Sequence, residues 1–223
     1  MDSKTTFTDA AAEEPLLPAA SQTRSRESLE RVVDATIRLL TERGDGDFTI
    51  AEVSAYAGVA VGTVYGRVGN KESLLLAVHE RELTRMDRET VAHLGAASGS
   101  GSTLREAIGA VIAARTTTLA AEAPLLRALM RVAVDYPAIS RRGRESGLIA
   151  QSAFVATLTA VCRRFGLDLA GEDVEWADEV TYAVAARQLG IELADRGAPM
   201  RVIPIERLTA RLTDTITAYL SSQ

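Results

Sequence analysis

From Ser25 onward, apolar residues recur at helical spacing, and no alternating strand pattern persists anywhere in the chain. Leu29, Val33, Ile37 and Leu40 fall at i, i+4, i+8 and i+11, one stripe of an amphipathic helix that Gly44 and Gly46 end. A chain with this single period can bury its stripes only by packing helix on helix, so the expected class is all-α. At 223 residues it is one large domain or two small ones. Its 47% apolar and 25% charged residues exclude wholesale disorder.

The first eighty residues carry the sharpest local signals. Thr49-Ile-Ala-Glu52 is a capping box, in which the threonine hydroxyl accepts from the Glu52 amide and the glutamate reaches back. Phe48 and Val53 are spaced as its hydrophobic staple, and Gly58 supplies a left-handed stop. A very short helix follows over about 60–67, Gly69 breaks the chain, and Asn70 caps a long helix to about Leu94. Two short helices joined by Ala57-Gly58-Val59 form a helix-turn-helix pattern. Val53, Ala57, Val59 and Val64 then face inward, and Ser54 sits where the helices come close and only a small residue fits. The outer face of the second short helix is left free to enter a major groove.

Residues 1–23 read as a disordered tail of net charge −3, interrupted by Pro15 and Pro18. Residues 95–102, Gly-Ala-Ala-Ser-Gly-Ser-Gly-Ser, have the composition of a flexible linker. Beyond them five more helices are expected: one from the capping box Thr103-Leu-Arg-Glu106, one from Pro124, one over about 139–165, one from Glu172 to Arg196, and one from Pro204. The total is about nine.

Composition narrows the function. The single cysteine, Cys162, excludes an intramolecular disulfide and a cysteine-built zinc site, and it is expected to pack beside Phe165. His79 and His93 are fourteen apart, not the i, i+4 of a helical zinc pair. Glu172, Asp173, Glu175, Asp178 and Glu179 crowd a helix start, as the helix dipole favours. No nucleophile elbow or phosphate-binding loop is present, so neither an enzyme nor a bound metal or cofactor is expected. No apolar run suggests a membrane span and no secretory signal is visible, so a cytoplasmic protein is expected. Net charge is −5, which gives no global basic footprint. Only Lys4 and Lys71 of the 25 cations are lysines, a bias of the kind GC-rich coding produces.

The runs from Leu29 to Gly44, Phe48-Thr-Ile-Ala-Glu-Val-Ser54, Ala57-Gly-Val-Ala-Val-Gly-Thr-Val-Tyr65 and Gly69-Asn-Lys-Glu-Ser-Leu-Leu75, in this order and spacing, resemble the tetracycline-repressor (TetR) family over about 25–80. The resemblance implies a three-helix DNA-binding domain over 24–80 and a helical effector-binding and dimerisation domain over 81–223. It implies a transcriptional regulator, by default a repressor that leaves a double-stranded operator when a small-molecule effector binds. It also implies site residues. Thr49 would offer its hydroxyl and a helix N-terminus to a phosphate. Gly62 would let the backbone approach DNA, and Thr63 would touch a thymine methyl or a phosphate. Tyr65 and Lys71 would make further contacts, Lys71 to a phosphate. Arg67 is the one cation on the short helix, a candidate DNA contact whose alternative is pairing with a glutamate on a neighbouring helix. Arg24 and Arg26 could form an arm on the DNA or remain plain solvated charges.

Departures from the family pattern lie at Ala60, Val61, Gly66 and Val68, where capping, polar, basic or bulky residues are usual. Over 48–79, Arg67 and Lys71 cancel Glu52 and Glu72, so weak non-specific DNA affinity is expected. A helical ligand-sensing or partner-binding protein that no longer reads DNA is the alternative. In the second domain, Met130, Tyr136, Phe154, Trp176 and Tyr182 are the larger residues available to line an effector pocket. A homodimer surface is sought on two stripes, Ala177, Val180, Val184, Arg187 and Ile191, and Leu208, Leu212, Ile216 and Tyr219. Such stripes can equally face the chain's own core.

Overall fold

The structure, a computed structural model, describes residues 19–191 and 203–223. Eight helices account for the described chain: α1 (Ala19–Arg43), α2 (Ile50–Ala57), α3 (Val61–Val68), α4 (Lys71–Ala97), α5 (Leu104–Ala133), α6 (Pro137–Arg164), α7 (Gly171–Gln188) and α8 (Ile205–Leu220). No strand occurs among the described residues. Of the tail expected over 1–23, residues 1–18 lie outside the described residues, and 19–23 belong to α1.

Local signals decide the first four helices. Thr49 accepts from the Glu52 amide at 3.2 Å and Glu52 accepts from the Thr49 amide at 2.7 Å, completing the capping box of α2. Gly58 takes φ +62, and its amide reaches back to Ser54 and Ala55. Asn70 caps α4 by accepting from the Ser73 amide at 2.8 Å. Val53, Ala57, Val59 and Val64 are buried between the short helices and α1. The buried line of α1 runs through Ser28, Val32, Val33, Thr36, Leu39 and Leu40, which puts Leu29 of the expected stripe at the solvent edge.

Later boundaries differ from the sequence reading. Thr103 caps α5 as expected, but Pro124 lies inside α5 instead of opening a helix of its own, which reduces nine helices to eight. Proline removes one intrahelical hydrogen bond. The helix persists because both flanks are buried, Leu119 and Ala123 before the proline and Leu125, Ala128 and Leu129 after it. These flanks enter different cores. Residues up to Ala123 join a body core with α6, α7 and α8, whereas Leu125, Ala128, Leu129 and Val132 join the core of α1–α4. α7 ends at Gln188 with Gly190 at φ +65, short of the expected end at Arg196, which lies outside the described residues.

The stretch 95–102 is not the free linker its composition suggested. α4 continues through Ala97, and the Arg164 guanidinium of α6 donates to the carbonyls of Ser98 (3.1 Å) and Ser100 (2.5 Å). Within α6 one eighteen-residue window reaches a mean hydropathy of 1.3, enough by length and composition alone for a membrane span. That helix instead buries Phe154, Leu158, Val161 and Cys162 in the body core, with Phe165 packed nearby.

Gly101 makes the tightest approach in this turn. It adopts φ +78, and a Cβ there would lie 2.4 Å from the Ala107 amide nitrogen. Gly101→Ala is expected to cost about 2–4 kcal/mol of stability, from the left-handed backbone and the clash together. Gly99→Ala, with nothing near its Cβ, is expected to shift the denaturation midpoint little. Equal urea midpoints for the two variants would show that this packing is not rigid.

Candidate functional site

The exposed face of the helix-turn-helix is set by what α3 buries. Val64 is its only buried residue, and Val61, Gly62, Thr63, Tyr65, Gly66 and Arg67 are exposed. Tyr65 is 50% exposed. A Cβ at Gly62 or Gly66 would meet nothing, so the backbone of α3 is open to close approach from outside. The Ser54 hydroxyl donates to the Val59 carbonyl, which holds α2 and α3 at their angle and explains why a small polar residue stands there.

The surrounding polar groups are engaged within the chain. Thr49 is exposed, and its hydroxyl and amide both face Glu52. Lys71 donates from Nζ to the Gly46 carbonyl at 2.6 Å and sits 4.6 Å above the Phe48 ring. Lys71 and Thr49 therefore flank the same short loop before α2. Arg67 donates to the Ser25 hydroxyl of α1. Arg24 and Arg26 are exposed on α1, and Arg26 lies 3.7 Å from Glu30.

A cavity of about 530 Å³ opens where α4, α5, α6 and α7 meet. α4 contributes His79, Leu83, Met86, Asp87 and Thr90 along one wall. His79 is buried, with Nδ1 2.8 Å from the Leu75 carbonyl and Nε2 3.2 Å from the Leu129 carbonyl of α5. Burial holds its pKa below the usual value, so the ring is neutral and donates through one nitrogen. The wall also contains a buried ion pair, Arg115 of α5 and Asp178 of α7, with Nε 3.4 Å from Oδ1. Burial pushes the Asp178 carboxyl above its ordinary range, against the opposing pull of Arg115.

A family model of bacterial regulatory proteins, the tetR family, matches residues 32–78, from within α1 to the second turn of α4. The N-terminal domain belongs to the tetR family. An HTH-type transcriptional regulator, BetI of Brucella anthropi, is 38% identical over 82 residues, covering 37% of this chain and 40% of the relative. The chain thus matches about two fifths of that curated relative's length. Solved structures extend the likeness to the whole fold. A tetR-family regulator from Mesorhizobium loti superposes with TM-score 0.67 at 16% identity, covering 89% of this chain and 98% of the other. A transcriptional regulator from Pseudomonas aeruginosa superposes with TM-score 0.63 at 16% identity, covering 90% and 92%.

On the tetR-type head, the residues named from sequence fall into two groups. Gly62, Thr63 and Tyr65 share the outward face of α3, while Thr49 and Lys71 lie at helix starts beside it. Arg67 contacts the neighbouring α1, but through the Ser25 hydroxyl and not through a glutamate. Sequence reasoning passed over Arg43, whose guanidinium spans the loop, donating to the Asp47 carbonyl and to Glu52, each at 2.6 Å. It also passed over Tyr56, 48% exposed on α2 beneath the Arg38 guanidinium.

In the body, Met130 and Tyr182 line the cavity. Phe154 is fully buried in the body core and is not among the lining residues. Trp176 is 42% exposed on α7, its ring tilted against that of Tyr219 with centroids 4.3 Å apart. Tyr136 packs against the head core. The polar groups of the cavity were missed, although Arg115 stood on an apolar stripe with Val111, Ile112 and Leu119. A charge on such a stripe is the signal that would have found it.

The Arg43–Glu52 contact yields a measurable signature. Hydrogen bonds from Arg43 and then Thr49 pull the Glu52 carboxyl down to about 2. A depressed carboxyl stabilises the fold above the ordinary carboxylate range and loses that effect as pH falls toward its folded value. In Arg43→Gln the Glu52 carboxyl is expected to titrate closer to the ordinary range by NMR, and acid denaturation is expected to be less steep. Thr49→Ala removes the cap and is expected to cost about 1 kcal/mol. An unmoved Glu52 titration in Arg43→Gln would show that the capping bonds alone set it.

Proposed function

We propose that the protein is a cytoplasmic, homodimeric transcriptional regulator that binds operator DNA through α3 and releases it when a small molecule occupies the cavity. The observation that carries this reading is the α3 surface: Val64 and half-buried Val68 anchor the helix, and residues 61–63 and 65–67, including Thr63 and Tyr65, are open to a groove. Repression is the default, because a dimer seated on a promoter obstructs transcription without a second contact surface.

The contacts follow from chemistry. Tyr65 and Thr63 offer hydroxyls and apolar edges to bases and phosphates, and Gly62 lets the α3 backbone approach closely. Lys71 spends one of its three donors on Gly46 and retains two for a phosphate. Thr49 and Lys71 stand at helix N-termini, where the dipole favours an anion.

Coupling runs through α4. Its first turn supports the head, and its next turns form the cavity wall from His79 to Thr90. A ligand that prefers a different placement of α4 shifts the separation of the two heads. A coupling of about 1–3 kcal/mol changes operator affinity about 5- to 150-fold.

For the dimer, the expected stripes turn inward in part. Leu208, Leu212 and Ile216 of α8, with Ala177 and Ile191, are buried in the chain's own core. On the surface of α7 remain Trp176 and Val184, 42% and 38% exposed, with half-buried Val180 and Tyr219 beside them. We place the second copy there. Val184→Arg is expected to give a folded monomer in sedimentation, whereas a persistent dimer would move the interface elsewhere.

A mobility-shift titration on DNA upstream of the protein's own coding region tests the whole reading. Tyr65→Ala is expected to weaken binding about ten- to hundredfold, a loss of about 1–3 kcal/mol. Lys71→Gln is expected to weaken it for all sequences alike and to lower the salt slope by about one. Binding that survives both changes would remove α3 from the interface. A chain that never shifts DNA would instead be a ligand-sensing protein with a silent head.

A further inference from the structure

We infer that the cavity selects an uncharged amphiphile, whose apolar body lies between α4, α5 and α6 and whose polar head, bearing a hydrogen-bond donor beside an acceptor, docks on the Arg115–Asp178 pair. Hydroxyl and primary amide heads meet that description. The inference rests on reading the cavity as the effector site.

The pair has unusual needs. Arg115 and Asp178 are 6% and 4% exposed, yet the contact between them is long, Nε to Oδ1 at 3.4 Å. Arg115 Nε and Asp178 Oδ1 are buried polar atoms without a hydrogen-bond partner. Both side chains line the cavity, and the Tyr182 ring lies 5.5 Å from the guanidinium carbon. A buried pair held by so long a contact leaves donor and acceptor capacity unused, which is costly unless another molecule takes it up. The guanidinium offers only donors and the carboxylate mainly acceptors. One group that both accepts and donates satisfies the two together.

The charges around the space already have opposite partners, which leaves ionic guests without one of their own. Asp87 shares Arg142 with Glu80, each at 2.9 Å, and Glu122 takes a two-pronged contact at 2.8 Å from Arg85, which also reaches Glu82 and Glu89. Arg115 and Asp178 neutralise each other. Arg144 and Glu179, of opposite sign, are the exposed charges at the rim. An anionic head therefore finds no unmatched cation and approaches Asp178, and a cationic head meets Arg115. The remaining walls are mostly apolar, including Leu83, Leu119 and Met130, with Thr90, Thr118 and Gln151 among the polar exceptions, and the volume of about 530 Å³ suits a guest of drug-like size.

The test uses the full-length protein at pH 8 and four probes with one common tail: octanamide, 1-octanol, octanoate and octylammonium. Calorimetric titration is expected to show octanamide or 1-octanol binding at least tenfold more tightly than either ion. In the double variant Arg115→Met/Asp178→Leu, which exchanges the pair for apolar residues and so leaves no buried charge, that preference is expected to fall below threefold. Octanoate or octylammonium binding as tightly as the neutral probes would overturn the selectivity while leaving a ligand cavity in place. Retention of the full preference in the double variant would overturn the role of the pair. Failure of all four probes to bind would overturn both the selectivity and the reading of this cavity as an effector site.

Discussion

Leu125, Ala128, Leu129 and Val132 belong by sequence to the middle of the chain, yet they fill the core of a domain that begins at α1. A three-helix unit of this size buries little apolar surface alone. Each large side chain from α5 adds roughly 1.5–3 kcal/mol if fully buried. The stability of the head is therefore partly supplied by a helix of the body. α5 changes cores at Pro124, where the missing amide already interrupts the intrahelical ladder. The head and the body are two cores threaded by α4 and α5, with the start of α6 adding Ile139 to the head core.

This threading gives the cavity its leverage. His79, Leu83 and Met86 on α4 and Leu129 and Met130 on α5 border the space, and Leu83, Met86 and Leu129 are also part of the head core. Close-packed interiors do not compress to absorb a guest. A guest that outgrows the existing space must move a wall, and two of the walls continue into the head. His79 sits between the two helices, its ring nitrogens facing a carbonyl of its own helix and one of α5. A slide of α4 against α5 either breaks that contact or carries α5 with it. Both outcomes reach α1, which packs on α4 and α5 alike.

Features encoded within a few residues were legible in the sequence. The capping boxes at Thr49 and Thr103, the Asn70 cap, the Gly58 corner and the inward set Val53, Ala57, Val59 and Val64 each depend on neighbours close in the chain. Features decided across the chain were not. The 95–102 stretch looked like a spacer because the guanidinium that fixes it comes from Arg164. Pro124 looked like a helix start because the burial that overrides it is tertiary. Phe154 and Trp176 were grouped by size as pocket candidates, and the structure sends one into the core and the other to the surface. Periodicity shows that a face is apolar, not what it meets. That is why Leu208, Leu212 and Ile216 could not be assigned to a partner or to their own core.

The cations nearest the α3 surface make their contacts within the head: Arg67 steadies α1 through Ser25, and Lys71 closes the loop before α2 through Gly46. Little net positive charge is left to neutralise phosphates, so general attraction to DNA contributes little to binding in the proposed complex. Selectivity then has to come from fit: the open backbone at Gly62, the short side chain of Thr63 and the ring of Tyr65. Fit depends on angle and separation more than charge does, because short-range contacts vanish with small displacements while Coulomb attraction does not. A head that binds by shape is therefore the kind that a modest movement of α4 can detach, and its lack of net charge makes such a movement sufficient.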